Sequence, residues 1–198
     1  MSSSNPALLF EKLLAETTNN RVFRGLRNQE PVVAKVLKHT RQTPKRIAAL
    51  QHEYTLLQRM SHVPNIVRAI ALETTQAQEW ALIFEDSGGV ALSQLPLVGV
   101  IEPSLLFFIA ERLSEALEEI HRLNILHKDI NPANIVMNPE TGQIQLIDFS
   151  SAGWLVQEQT SMTAGSAIEG TIAYVAPEQT GRMNRSIDNR SDLYSLGI

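Results

Sequence analysis

Two carboxylates stand out in the 198-residue sequence. Asp129 lies in His127-Lys128-Asp129-Ile130-Asn131-Pro132-Ala133-Asn134, and Asp148 lies in Ile147-Asp148-Phe149-Ser150. The first precedes a short apolar run and the second ends another, with turn residues between them. A hairpin of those two runs brings Asn134 and Asp148 to one end of a ladder. An amide and a carboxylate projecting there offer hard oxygen ligands to a cation such as Mg²⁺. Asp129, a few residues upstream of the same strand, is placed to orient a hydroxyl nucleophile.

The elements that must hold these groups can be read along the chain. Arg21–Phe23 and Pro31–Leu37 (PVVAKVL) predict paired strands, with Arg27-Asn28-Gln29-Glu30 as the turn. Thr43-Pro44 has the form of an N-cap followed by proline at the first helical position. Ile47, Leu50, Tyr54 and Leu57 then follow at spacings of three and four, which predicts an amphipathic helix ending near Met60. Asn65–Leu72 and Trp80–Phe84 read as two more strands. After Gly88-Gly89 the pattern changes. Ser104–Leu123 carries Ile109, Leu113, Leu117 and Ile120 on one helical stripe. Asn134–Met137 and Gln143–Phe149 read as strands joined by Asn138-Pro139-Glu140-Thr141-Gly142. From Ser150 to Gly170 the chain is small, polar and aperiodic, the mark of a functional loop.

Composition narrows the classes. Hydrophobic residues make up 43% of the chain and charged residues 19%, as in ordinary globular proteins. The 17 basic and 21 acidic residues give a net charge of −4, which argues against nucleic acid as a partner. With no cysteine, disulfides, thiolate metal sites and cysteine nucleophiles are excluded, and the five histidines show no metal spacing. The N-terminus lacks the basic flank and apolar stretch of a signal peptide. The longest uncharged stretch, Ser87–Ile101, is too short and too polar to span a bilayer. A cytoplasmic location is expected.

Taken together, HKDINPAN resembles the catalytic loop of protein kinases, Asp148-Phe149-Ser150 resembles their metal-binding triplet, and Ala176-Pro177-Glu178 resembles the motif that closes their activation segment. Order and spacing, with a lysine strand upstream, set the three apart from chance triplets. The resemblance runs from about Leu14 to Ile198. It implies an α+β, two-lobed protein-kinase-like fold, with a strand-rich N-lobe (1–86) and a helical C-lobe (87–198) that lacks its last helices. The lobe boundary falls near Glu85–Gly89.

The resemblance also implies roles. Lys35, in Val33-Ala34-Lys35, corresponds to the strand lysine that holds the ATP phosphates. Glu53 corresponds to its helix partner; it sits nine residues before His62 and on the face of Leu50 and Leu57. Asp129 receives or orients the substrate hydroxyl proton, and Asn134 and Asp148 are the metal ligands. Thr171 braces the catalytic loop, and Asp192 anchors the backbone of that loop from a helix. Phe84 is the gatekeeper and Glu85 to Ser87 the hinge beside adenine, with Val22, Val33 and Val136 around the base. ATP and Mg²⁺ are the implied cofactors, and a protein Ser/Thr hydroxyl the implied substrate. A lone strand lysine or helix glutamate is ordinarily solvated surface; it is the company of the two aspartates that changes this reading. His127 is expected to be a packing residue.

Four positions depart from the family pattern. Ala15-Glu16-Thr17-Thr18-Asn19-Asn20-Arg21 stands where kinases carry a phosphate-covering GxGxxG, and none of the glycines is present. Asn131 stands where many Ser/Thr kinases carry a lysine that stabilises the transferred phosphoryl group. Ser150 replaces a glycine and narrows the backbone freedom there. Lys128 replaces an arginine and forgoes bidentate contacts. These changes leave a second reading, a pseudokinase or regulatory nucleotide-binding module. A small-molecule phosphotransferase is disfavoured because GTIAYVAPE resembles a peptide-binding segment. Thr160, Ser161, Thr163 and Ser166 are candidate phosphorylation sites.

Pro177 through Arg190 is similar to the N-terminal kinase-like domain of very large signalling proteins carrying an ATPase module, a GAF sensor and a histidine kinase downstream. In that group Asn131 and the degenerate loop are in keeping. The resemblance further implies that Ile198 falls inside the helix begun near Asp192. The partner arginine of Glu178 would then lie in a longer parent, and apolar surface covered there would be exposed here.

Overall fold

The computed structural model describes residues 8–96, 101–155, 171–181 and 185–198. They fall into two compact units. One takes the described residues up to Ser61 together with Val67–Ser87; the other takes His62–Ile66 together with those from Gly88 onward.

The first unit is an antiparallel sheet with one helix. Its strands are β1 (Leu8–Glu16), β2 (Asn20–Arg27), β3 (Glu30–Leu37), β4 (Ala69–Thr74) and β5 (Trp80–Glu85), in the order β1-β2-β3-β5-β4. The β2–β3 turn falls at Arg27-Asn28-Gln29-Glu30 as the sequence suggested, with Arg27 paired to Glu30 and Asn28 and Gln29 both left-handed (φ 51° and 71°). Two such residues form a turn whose twist matches that of the strands. Side chains alternate across the sheet. Val32, Ala34, Val36, Ala81 and Ile83 form a core on one face, joined by Leu8, Phe23 and Ala71. On the opposite face the register sets Val22 against Lys35, Lys35 against Leu82, and Val33 against Phe84. Gly25 is required by close approach, since a Cβ there would stand 2.0 Å from the Leu9 carbonyl oxygen.

Helix α1 (Pro44–Arg59) starts as the sequence dictates, with the Thr43 hydroxyl accepting from the Arg46 N–H at 3.4 Å and proline in the first turn. It packs on β4 and β5 and buries Leu50, Glu53, Leu56 and Leu57. Strand β4 begins at Ala69 rather than Asn65. Of the preceding residues, Asn65 and Ile66 belong to the second unit. There Ile66 bridges Leu146, and Asn65, at φ 59°, accepts from the Leu146 N–H and donates from Nδ2 to the Arg112 carbonyl.

The second unit is built on α2 (Pro103–Arg122), which buries Ile109, Leu113, Ala116, Leu117 and Ile120. The remaining elements are β6 (Val90–Ala91), β7 (Ile125–Leu126), β8 (Ile135–Met137), β9 (Ile144–Leu146), β10 (Gly153–Trp154) and α3 (Asn189–Gly197). Strands β6, β8 and β9 form a small sheet, and β7 pairs with β10. The β8–β9 turn closes on Asn138, whose Oδ1 accepts from the N–H groups of Glu140 and Thr141. Strand β9 stops at Leu146, short of the sequence expectation, because Asp148 turns left-handed (φ 60°) and Phe149–Ser151 coils into a 3₁₀ turn. Among the described residues no helix is long and apolar enough to cross a membrane. Thr160, Ser161, Thr163 and Ser166 lie outside the described residues, as does most of the aperiodic loop.

Candidate active site

In the first unit, β3 and α1 bring Lys35 and Glu53 together. Lys35 Nζ donates to both carboxylate oxygens of Glu53, at 3.0 and 2.8 Å. Lys35 is 7% exposed and Glu53 1%. Charges are seldom buried unless paired, so this is an internal ion pair and not a solvated surface contact. Val22, Val33 and Phe84 share the sheet face of Lys35 through the register already given. Glu85 ends β5 and is exposed; Ser87 follows two residues later and is half-buried. Between them, Asp86 forms an ion pair with Arg24 of β2 at 2.6 Å.

The β1–β2 turn answers the missing glycines. Its residues avoid positive φ, and Thr17 does the work of closure. The Thr17 hydroxyl accepts from the backbone N–H groups of Asn19 (3.3 Å) and Asn20 (3.0 Å), while the Thr17 N–H donates to the Asn20 carbonyl at 2.9 Å. The Asn19 carbonyl accepts from the Lys38 N–H at 2.9 Å. The N–H groups of Thr17, Asn19 and Asn20 are therefore engaged within the turn itself.

In the second unit, one loop gathers Asp129, Asn131, Asn134 and Thr171. Asp129 Oδ1 accepts from Asn131 Nδ2 at 3.0 Å and from the Thr171 N–H at 2.8 Å. Its Oδ2 accepts from Asn134 Nδ2 at 2.9 Å. Both amides also donate to the Asp129 carbonyl, at 3.1 Å from Asn131 and 2.8 Å from Asn134. Asn131 is fixed in turn by the Ala133 N–H on its Oδ1 at 2.9 Å. The asparagine at 131 thus does something the sequence reading did not anticipate: it holds the carboxylate of Asp129. With Nδ2 engaged, Asn134 offers its oxygen, and the ladder extends beyond β8 as Ile147 N–H donates to the Asn134 carbonyl at 2.9 Å. Asp148 follows directly, its Oδ1 accepting from the Ser150 N–H at 3.3 Å. An amide oxygen and a carboxylate on adjacent strand ends are a hard donor set that fits Mg²⁺, which takes few protein ligands and keeps the rest for water and phosphate. Ser150 does not have a positive φ, so its Cβ costs nothing in this conformation.

The backbone of the loop is held from α3. Asp192, buried, accepts from the N–H groups of His127 (Oδ2, 3.0 Å) and Lys128 (Oδ1, 2.8 Å). Asp192 Oδ2 also bonds Nε2 of His121, at 2.8 Å. The sequence reading missed His121; its signal was a polar residue four places after Leu117 on the buried stripe of α2. His127 packs edge-on against Phe149, with ring centroids 4.6 Å apart, and bonds the Ile147 carbonyl through Nε2. Val136 lies on β8 against Gly89, where a Cβ would come within 2.3 Å of Val136 Cγ1. Glu178 accepts from the Ser191 hydroxyl at 2.7 Å.

Comparison with known proteins identifies the family. A family model described as the protein kinase domain matches residues 11–198. The serine/threonine-protein kinase pkn3 of Myxococcus xanthus is 30% identical over 199 residues, covering 95% of this chain and 36% of that protein. The serine/threonine-protein kinase PknF of Mycobacterium tuberculosis is 41% identical over 91 residues, 44% of this chain and 18% of its own length. The receptor-like cytosolic serine/threonine-protein kinase RBK1 of Arabidopsis thaliana is 24% identical over 193 residues, 95% of this chain and 40% of its own length. The chain spans less than half of each. Since the family match takes in nearly every residue from β1 to α3, the chain belongs to the protein kinase domain family.

Proposed function

We propose that this chain is the catalytic part of an ATP-dependent Ser/Thr protein kinase. The observation that carries the reading is the Asp129 carboxylate, whose two oxygens are held by Asn131, Asn134 and the Thr171 N–H. A carboxylate fixed this way can receive a proton from a hydroxyl brought within hydrogen-bond reach. In the reaction, the hydroxyl oxygen of a Ser or Thr side chain bonds to the γ-phosphorus of ATP. The bond from that phosphorus to the bridging oxygen breaks, and its electron pair leaves with ADP. The hydroxyl proton passes to Asp129. Little covalent chemistry falls to the protein, so positioning and charge supply most of the acceleration.

Lys35, fixed by Glu53, is assigned to the ATP phosphates. Val22, Val33, Phe84, Glu85, Ser87 and Val136 are assigned to adenine and its surroundings. Asn134 and Asp148 are assigned to Mg²⁺, which when bound supplies positive charge to the phosphate oxygens. Thr171 and Asn131 aim Asp129. We treat 1–86 and 87–198 as the two lobes, and a longer parent protein with sensor and histidine kinase modules as the setting. We assign the chain to the cytoplasm, where ATP is available.

The test is phosphate incorporation. The full chain is incubated with Mg-ATP labelled in the γ-position and a generic Ser/Thr protein substrate. Label in the substrate that is lost in Asp129→Asn and Lys35→Met is the expected result. Nucleotide-dependent thermal stabilisation without any transfer would replace this reading with a regulatory nucleotide-binding module.

A further inference from the structure

Lys128 stands directly before Asp129 at φ 68°, in the left-handed region that side chains with a Cβ rarely adopt. Both of its backbone polar groups are held by side chains from later in the chain. Its N–H donates to Asp192 Oδ1, and its carbonyl accepts from Nε2 of Gln179 at 2.9 Å. Gln179 is itself fixed. It is the third residue of the 3₁₀ turn Pro177–Thr180, and its Oε1 reaches back to accept from the Ala176 N–H at 3.1 Å.

The Lys128 carbonyl and the Asp129 N–H belong to one planar peptide. That plane is held on both edges, by Gln179 at the carbonyl and by Nδ1 of His127, which lies 3.3 Å from the Asp129 nitrogen. Its tilt sets the direction in which Asp129 leaves the backbone. The same segment reaches Asp129 a second time through the Thr171 N–H. Thr171 and Gln179 therefore hold Asp129 from opposite ends of residues 171–181.

The geometry points to Gln179 as a positioning residue for Asp129, one that ties the aim of the base to the docking of this segment. The inference rests on the kinase reading above. Its chemistry is specific: the site needs an acceptor toward Ala176 and a donor toward Lys128 on one side chain. An amide provides both. A carboxylate of the same shape provides only the first, and its second oxygen repels the Lys128 carbonyl.

The test compares the native full chain with Gln179→Glu and Gln179→Ala, measuring kcat and the KM for ATP per folded molecule across pH. Misaiming a base by a fraction of a bond length costs rate far more than binding. Gln179→Glu is expected to lower kcat about ten-fold or more at neutral pH and to leave KM for ATP within about two-fold. As pH falls toward the ordinary glutamate range near ~4.3, the protonated carboxyl regains a donor. The ratio of variant to native kcat is therefore expected to rise with acidification. Gln179→Ala adds no charge, so it serves if the glutamate variant does not fold; it is expected to lose kcat with a flat pH ratio. Native kcat in both variants, or losses that vanish once scaled to folded protein, would overturn the inference alone. A native chain that transfers no phosphate would overturn the kinase reading and this inference with it.

Discussion

Asn131 Nδ2 lies 3.0 Å from Oδ1 of Asp129 and 3.1 Å from the Asp129 carbonyl, so one amide fixes both the side chain and the backbone of that residue. A lysine at this position would be free to reach toward a transferred phosphate. The asparagine instead directs its amide donors to the carboxylate and carbonyl of Asp129. Asn131→Ala is therefore expected to lower kcat by about ten-fold or more, the loss of one hydrogen bond to a charged group. KM for ATP should stay near native. Steady-state kinetics at varied ATP checks this; an unchanged kcat would remove Asn131 from the aiming of Asp129.

The Lys35–Glu53 pair permits stability and chemistry to be separated. Lys35→Met removes the ammonium that pairs with the buried Glu53 carboxylate and is expected to cost about 3 kcal/mol of folding stability. The double variant Lys35→Met/Glu53→Leu replaces the pair with apolar groups and should regain most of that loss. Neither variant should transfer phosphate. Denaturant midpoints measured beside phosphate incorporation distinguish a residue that only holds the fold from one that acts on ATP.

Asp192 accepts from two backbone N–H groups and bonds His121 through Nε2. An amide cannot repeat this, because one of its two positions is a donor. Asp192→Asn should leave a buried N–H of the catalytic loop without an acceptor and cost about 1–3 kcal/mol. Thermal unfolding should show that loss, and kcat should fall with it. A variant with native stability would mean that the loop is held by other contacts.

A pH effect is expected at the start of α3. Asp188 caps the helix by accepting from the Arg190 N–H at 2.9 Å, and the Arg190 guanidinium bonded to it holds the Asp188 carboxyl below its ordinary value. A carboxylate with a depressed folded value contributes stability above the unfolded pKa of about 4 and loses it as pH falls through the folded value. Asp188→Ala should therefore cost about 1 kcal/mol at neutral pH. The difference from native should shrink as pH drops below about 4. Melting curves at pH 7 and pH 3.5 test the sign.

What was legible in the sequence was whatever had a local signature. Thr43-Pro44 announced α1, the stripe from Ile109 to Ile120 announced α2, and the motifs around Asp129 and Asp148 announced the loop and hairpin. β1 carried no period-two pattern, since its pairing with β2 shifts register between Phe10 and Lys12 and again between Leu13 and Ala15. Asn65–Arg68 looked like strand because Ile66 and Val67 are β-branched and lead into the apolar run of β4, yet Asn65 is left-handed and Ile66 joins the second unit. The roles of Thr17, His121 and Gln179 depend on bonds to particular atoms, backbone groups for Thr17 and Gln179 and the Asp192 carboxylate for His121, and no pattern of residue types encodes those. Gln179 had a faint trace, a glutamine three residues after the position preceding the turn.

The most direct measurement is the rate of γ-phosphoryl transfer to Ser and Thr by the native chain and by Asp129→Asn, with Mg-ATP binding followed by thermal shift in the same samples. The account predicts phosphoserine or phosphothreonine from the native chain. It predicts a fall of about a thousand-fold or more in Asp129→Asn while nucleotide still stabilises both proteins. Equal transfer by the two, or stabilisation by nucleotide with no transfer by either, would contradict it.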